Sequence, residues 1–461
     1  MEGNQGGYKV LDIISAFCIG WARYPKASIM EGKSKIESLM STPEEVAILG
    51  GGISGKAAQK LVCSRGKASS VFSEDERIFD QSAAESCSFV VQSPGFSPMH
   101  PWVKVAKDAN KICISELDLA FAYGSFSEMV AVTGTNGKTS LTGILNHIAN
   151  QLQIPALSLG NIGIPLSDAV TRGADKDRLI FHETSSFQAI TSKFFKPDSV
   201  IWINFSPDHL DYHGSIKDYF CAKLKLIQSC VNPERVFLGP SVLKFAKEHS
   251  IAIIPFFHEV QLLDKAEIPP QINAFHLSHP QVENLGFALA WFLQRGISRS
   301  EFFAALEGYQ PEPYRLQKVS DINGVKFWND AKSTNLGSVL SACKSFAKKI
   351  IWIGGGKNKG QGLDDFSTAI FPYLEKAFVI GQTGGELCKH LVSKGVQTEI
   401  CLTLRDAVCR AYQSAQGVSH ILFSPGFASF DMFKDYSDRG NSFTSIVFDL
   451  KSAAQATTKL T

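Results

Sequence analysis

The chain has 461 residues, too many for one hydrophobic core, so about two to four domains are expected. Its formal net charge is only +2, and Lys and Arg form no long block, which argues against a nucleic-acid surface. The ten cysteines include no C-x-x-C pair, which argues against a disulfide scaffold or a thiolate zinc site and fits reduced thiols in the cytosol.

Residues 10–21 are apolar but broken by Asp12, and they are too short to span a bilayer. Acidic Glu2, with no basic cluster before the apolar stretch, argues against a signal peptide. Residues 1–43 therefore stand as an extension of unassigned role, either an appended helix or a start placed too far upstream.

The first domain is expected over residues 44–125. Residues 46–49 read as a strand, and Gly50, Gly52 and Gly55 then form a G-x-G-x-x-G turn before a helix. Glu74 and Asp75 follow a second strand, where a dinucleotide-binding fold places its ribose acid. The turn alone does not select a ligand, because its amides suit any nucleotide pyrophosphate.

The second domain, residues 126–310, contains VAVTGTNGKTS. Residues 130–133 read as a buried strand, and Leu141, Ile144, Leu145 and Ile148 recur at helical spacing after Lys138. Glycines between strand and helix let backbone N–H groups converge where the helix presents its positive end, which suits phosphate. Lys138 can reach outer phosphates, and Thr139 or Ser140 can offer a hydroxyl to Mg²⁺. Val132 stands where the full Walker pattern has its first glycine. Two later strands run into Glu183 and into SPDHLDYH, which carries Asp208, His209, Asp211 and His213. A carboxylate at a strand end beside such a loop suits Mg²⁺. Histidine is an unusual Mg²⁺ ligand, so His209 reads equally as a hydrogen-bonded loop residue.

The third domain, residues 311–461, repeats the design. KKIIWIGGG, AFVIGQTGG and HILFSPG are strands feeding glycine turns, and their alternation with helical patterns implies a parallel sheet. Lys357, Lys359, Ser424 and Ser429 fall at its carboxyl edge, preceded by Arg315 in PYRLQKV and by Asp330 and Lys332 in WNDAKSTN.

Together GTNGKT, Asn161 in GNIG, Glu183, DHLDYH, Asn284, Arg315 and NDAKSTN resemble the Mur ligases, the ATP-dependent amide ligases of bacterial cell-wall precursor synthesis. The resemblance covers essentially everything after residue 44, and ETSSFQ and SPGFASFDMFKDYSDRGNSF are similar to the D-glutamate-adding branch. It implies an α/β fold of three domains: a Rossmann-like N-terminal domain, a central P-loop ATPase domain with a parallel sheet, and a Rossmann-like C-terminal domain. It also implies a reaction. The carboxylate of UDP-N-acetylmuramoyl-L-alanine attacks ATP to give an acyl phosphate, and D-glutamate displaces phosphate.

By the same resemblance, Gly134, Thr135, Asn136, Gly137, Lys138, Thr139, Ser140, Asn284, Arg315, Asp330 and Lys332 bind ATP. Ile53, Ser54, Asn161 and Ser185 bind the UDP substrate, and Thr334, Lys359, Ser429, Phe430 and Tyr436 bind D-glutamate. Thr139, Glu183, His209 and a CO₂-modified Lys223 hold two Mg²⁺ ions, and Lys138, Glu183, His209 and Lys223 form the catalytic set. Two stretches depart from the family pattern: Ser73, Glu74 and Asp75 stand at the uridine contacts, and LSHPQVEN keeps only Asn284 of a G-x-H-N-x-x-N motif. A cytoplasmic monomer without membrane insertion is expected. A sibling Mur ligase or a folylpolyglutamate-type ligase with another acceptor amino acid is the alternative, although the DNPR stretch of the diamino-acid-adding branch is absent. An NAD-dependent oxidoreductase would leave the second phosphate loop without a role.

Overall fold

The computed structural model describes residues 27–161, 163–253, 256–261, 263–264, 267–269, 272, 281–358, 360–415, 417 and 419–458. The apolar stretch at 10–21 and Lys359 lie outside the described residues. The strands form three sheets. The first is parallel, in the order β2-β1-β3-β4, from β1 (Val46–Leu49), β2 (Ser69–Phe72), β3 (Val90–Gln92) and β4 (Cys113–Ser115).

The second sheet is built from β5 (Glu128–Thr133), β6 (Ala156–Gly160), β7 (Leu179–Glu183), β8 (Ser199–Trp202), β9 (Val236–Leu238) and β10 (His258–Glu259). It is parallel, in the order β10-β9-β8-β5-β7-β6. Central β5 is buried on both faces, as a parallel strand between helices must be. Met129 and Ala131 enter one core, while Val130 and Val132 enter another with Leu141, Ile144, Leu145 and Ile148 of the helix Lys138–Gln151.

The first of these cores does not stop at the second sheet. It continues through Ile48, Val91 and Ile114 of the first sheet to Ile36 of the helix Ala27–Met40, within the stretch read as an extension. The join is also polar: buried Asp118 accepts backbone N–H bonds from Ser115 (2.9 Å), Lys193, Phe194 (2.8 Å) and Phe195 (2.9 Å).

The third sheet has apolar cores of its own. It consists of β11 (Gln317–Ile322), β12 (Val325–Asn329), β13 (Ile350–Gly355), β14 (Leu374–Ile380), β15 (Gln397–Ile400) and β16 (His420–Phe423), in the order β11-β12-β16-β13-β14-β15. The expected parallel pairing holds from β12 to β15, but edge strand β11 runs antiparallel to β12. Asn323 (φ 52°) and Gly324 (φ 86°) make the two-residue turn between them, the left-handed pair that a tight hairpin uses.

Only glycine fits at residue 55. A Cβ there would lie 1.8 Å from the Gly50 carbonyl oxygen, where the helix Ile53–Ser64 packs against its own strand. At Gly51 the nearest atom to an added Cβ is 3.7 Å away. Gly55→Ala should therefore cost about 1–3 kcal/mol of stability, whereas Gly51→Ala should stay within about 0.5 kcal/mol. Urea denaturation of both variants checks this, and equal midpoints would refute the packing argument.

Candidate active site

Because β5 lies between β7 and β8, the carboxyl ends of these three strands are neighbours. The loop after β5 is held in shape by the chain leaving β8. Thr135 N donates to Asn204 O (3.1 Å), and Asn136 N donates to Asn204 Oδ1 (3.0 Å). Ser206 N donates to Thr135 Oγ1 (3.0 Å), which also lies 3.3 Å from the Tyr219 hydroxyl. Gly137 takes φ 86° at the helix N-terminus, and a Cβ there would lie 2.6 Å from Asn284 Oδ1. Both conditions require glycine. Asn284 itself is buried behind the loop, with its Nδ2 on Gln281 Oε1 at 3.1 Å.

Lys138 Nζ donates to the carbonyls of Gly134 (3.0 Å) and Thr135 (2.9 Å). Burial lowers its pKa, against the pull of the Glu183 and Asp208 carboxylates. Thr139 and Ser140 follow it, buried in the first helical turn. Beneath the loop, Lys223 Nζ donates to Thr133 Oγ1 (3.2 Å) and Gly134 O (3.0 Å). Burial, and then the charge of Lys138, hold Lys223 well below the usual lysine range.

Glu183 ends β7 in register with Val132. Asn161 Nδ2 donates to its Oε1 at 3.2 Å, while its buried Oε2 has no hydrogen-bond partner. A buried, unsatisfied carboxylate oxygen beside a phosphate cradle is the hard donor that Mg²⁺ takes, and Thr139 supplies a hydroxyl nearby in the loop. Among the described residues no group of three His, Cys, Asp or Glu could cage a metal. That donor set fits Mg²⁺, which keeps water and phosphate oxygens as ligands, rather than a metal that needs a full protein cage.

On the other side of the loop, His209 adopts φ 52°, an uncommon conformation for a residue with a side chain. Its ring meets Phe187 edge-on at 4.8 Å, and its Nε2 lies 3.7 Å from Asp208 Oδ2. His213 instead turns inward to Ser186 Oγ (2.9 Å), and burial lowers its pKa to about 4.

The third sheet closes the cavity. Arg315 sits between Tyr314 (φ 64°) and Leu316 (φ 46°), two left-handed residues that flank it. Its Nε is buried without a partner. Lys332 Nζ donates to Glu312 Oε2 (2.7 Å) and stands over the Tyr436 ring at 5.4 Å. Asp330 accepts from Leu316 N (3.1 Å) and from the Ser333 and Ser424 hydroxyls, and burial raises its pKa to about 6.

One cavity of about 520 Å³ is lined by Thr135–Thr139, Asn161, Glu183, His209, Arg315, Lys332 and Thr334. A recess of about 60 Å³, lined by Gly137, Ser140, Gln281, Arg315 and Asp330, adjoins it. Other expected residues lie outside this lining. Ile53 is 75% exposed at the start of its helix beside Ser54, on the first sheet's edge. Ser185 caps the helix Ser186–Thr191. Ser429 is buried, and neighbouring Phe430 is 65% exposed.

Comparison with known proteins places these features. Residues 132–256 match the family model of the Mur ligase middle domain. A UDP-N-acetylmuramoylalanine–D-glutamate ligase of Caldicellulosiruptor bescii is 31% identical over 391 residues, covering 78% of this chain and 83% of its own length. That of Streptococcus agalactiae is 31% identical over 438 residues, covering 87% and 96%. The chain belongs to the Mur ligase family. The UDP-N-acetylmuramate–alanine ligase of Thermotoga maritima shares the fold, with a TM-score of 0.54 at 15% identity over 88% of this chain and 100% of that one.

In this Mur ligase the cavity also takes in Asp208, which the sequence offered in SPDHLDYH without a role in the site, and Asn335, Ser338, Gln361 and Asp365, which sequence reasoning did not select. Asp208 and Asn335 fall inside the motifs DHLDYH and NDAKSTN, so their position was readable, whereas Gln361 and Asp365 carry no such signal. His182, next to Glu183, is fully buried on Thr184 Oγ1 (2.9 Å), and burial lowers its pKa to about 3. The folded protein therefore refuses a proton that the unfolded chain accepts below about pH 6.5. This contribution is complete above pH 6.5 and is lost as pH falls toward 3. Urea midpoints between pH 7 and pH 4 should fall less steeply for His182→Gln than for the parent, and parallel profiles would refute the assignment.

Proposed function

We propose that this Mur ligase is an ATP-dependent carbon–nitrogen ligase that joins D-glutamate to UDP-N-acetylmuramoyl-L-alanine through an acyl phosphate, in peptidoglycan precursor synthesis. The observation that carries the reading is the convergence on one cavity of a phosphate loop, an unsatisfied carboxylate and two cations from the third sheet. The names of the relatives supply the substrate pair.

A carboxylate attacking a triphosphate brings anion to anion, so the protein must neutralise charge and hold the reacting atoms in line. The loop amides, Thr135 to Ser140, cradle the β- and γ-phosphates, and Lys138 leaves its loop carbonyls to reach them. Arg315 and Lys332 neutralise the γ-phosphate from the opposite wall, with Asp330 and Asn284 on the nucleoside side. Thr139 and Glu183 hold one Mg²⁺ and His209 helps hold a second. When bound, these ions stabilise charge on the transferring phosphoryl group.

Asn161, Ser185, Ile53 and Ser54 position the UDP substrate. Thr334, Lys359, Ser429, Phe430 and Tyr436 receive the dianionic acceptor, Phe430 and Tyr436 largely through backbone amides. Residues 44–125, 126–310 and 311–461 act as the UDP-substrate, ATPase and acceptor domains of a cytoplasmic monomer. Among the described residues no helix is long and apolar enough to cross a membrane.

Lys223 completes the site as a carbamate. Its amine, shielded from solvent and shifted toward the neutral form, can add CO₂ and release a proton, turning a cation into an oxygen ligand.

Phosphate release should require ATP, Mg²⁺, UDP-N-acetylmuramoyl-L-alanine and D-glutamate together. Equal turnover with L-glutamate or L-alanine would refute the acceptor assignment. Lys223→Ala should lose about 10- to 100-fold in kcat, with part restored by a short carboxylic acid in the buffer. Full activity of that variant, or no carbonyl signal from ¹³C-labelled CO₂ on the parent, would refute the carbamate.

A further inference from the structure

The third sheet shares no buried apolar cluster with the other two among the described residues. What meets the phosphate loop from that side is the start of the helix Leu336–Lys344. Asn335 caps this helix, with Ser338 N donating to Asn335 Oδ1 at 2.9 Å. Ser338 Oγ lies 2.9 Å from Asn136 Oδ1, on the phosphate loop. Asn335 Nδ2 lies 3.1 Å from Asp208 Oδ2 and 3.4 Å from Asn136 Oδ1. Between them, Gly337 comes so close that an added Cβ would lie 2.9 Å from Asn136 Nδ2.

The hydroxyl of Ser338 has one proton and two amide oxygens in reach, Asn136 at 2.9 Å and Asn335 at 3.0 Å. It can serve only one at a time. Given to Asn136, the proton ties the helix to the loop. Given to Asn335, it stays within the helix cap. The Ser338 N–H bond to Asn335 survives either choice, so the helix start remains capped when the contact opens. On release the Ser338 hydroxyl keeps a partner in Asn335 Oδ1, while Asn335 Nδ2 exchanges Asp208 and Asn136 for water.

We propose that Asn335, Gly337 and Ser338 form a positioning clasp, which docks the acceptor domain on the phosphate loop through the side chain of Asn136. The clasp sets the place of Arg315, Lys332 and Thr334 against the reacting phosphate, and it touches none of the reacting atoms itself. It rests on the ligase reading for what is positioned, while the docking contact stands on geometry alone.

Gly337→Ala tests it in the full-length enzyme, because alanine favours the helix and the added methyl wedges the junction. The thermal midpoint should hold or rise, and a fluorescent ATP analogue should still bind, weakened by no more than the share that Arg315, Asp330 and Lys332 contribute from the third sheet. Turnover should fall by about tenfold or more, and small-angle scattering with the analogue bound should give a larger radius of gyration than the parent. Ser338→Ala should lower kcat about 3- to 10-fold with little change in the KM for ATP, and Ser338→Thr should restore it. Parental turnover and radius in Gly337→Ala would overturn the clasp. So would a loss in Ser338→Ala that the threonine variant shares. Phosphate release by the parent judges the ligase reading separately, because scattering and nucleotide affinity do not depend on the acceptor.

Discussion

The position of β5 between β7 and β8 is the constraint on which the cavity depends. A parallel sheet sends every strand the same way, so groups at residues 134–139, 183 and 208–209, far apart in sequence, arrive at one edge as neighbours. Had β7 and β8 lain on the same side of β5, Glu183 and His209 could not flank the loop. The chemistry is therefore set first by backbone pairing and only then by side chains. Two lysines meet at this edge, Lys138 within the loop and Lys223 beneath it, and burial lowers the pKa of both.

Costs of the fold gather around the same edge. His209, Tyr314 and Leu316 hold positive φ angles, Glu183 keeps a buried oxygen unpaired, and Gly137 is pressed against Asn284. Residues in such conformations cost about 1–3 kcal/mol each and persist only where their surroundings determine them. Here the surroundings are stiff: the loop is bonded to the Asn204–Ser206 segment, and Phe187 packs against His209. The flanking strain aims Arg315 and His209 at places that relaxed backbone would not offer.

Much of this was legible in the chain itself. β1, β5, β7 and β8 are short apolar runs ending in glycine, acid or polar loops, so both their existence and their chemical ends could be read. The loop residues, Asn161, Glu183, His209, Arg315, Lys332 and Thr334 share one cavity in the structure, although their motifs are scattered through the chain. The antiparallel β11 is not legible from glycine turns after apolar strands, because the signal of Asn323-Gly324 lies in paired left-handed angles. Gln361 and Asp365 were missed for another reason. Their place follows from how one domain leans on another, and no local periodicity records that. Asn284 was legible as a motif residue, yet the gap it fills behind Gly137 follows only from the loop's backbone geometry.

The apolar core running unbroken from Ile36 and Ile48 to Trp202 gives the first two sheets the character of a fixed gauge. One jaw is the Gly50–Gly55 turn, the other the phosphate loop, and the span between them cannot stretch without opening a shared interior. The separation of the two turns is thereby a property of buried apolar packing, and a change in it would have to repack residues of both sheets at once.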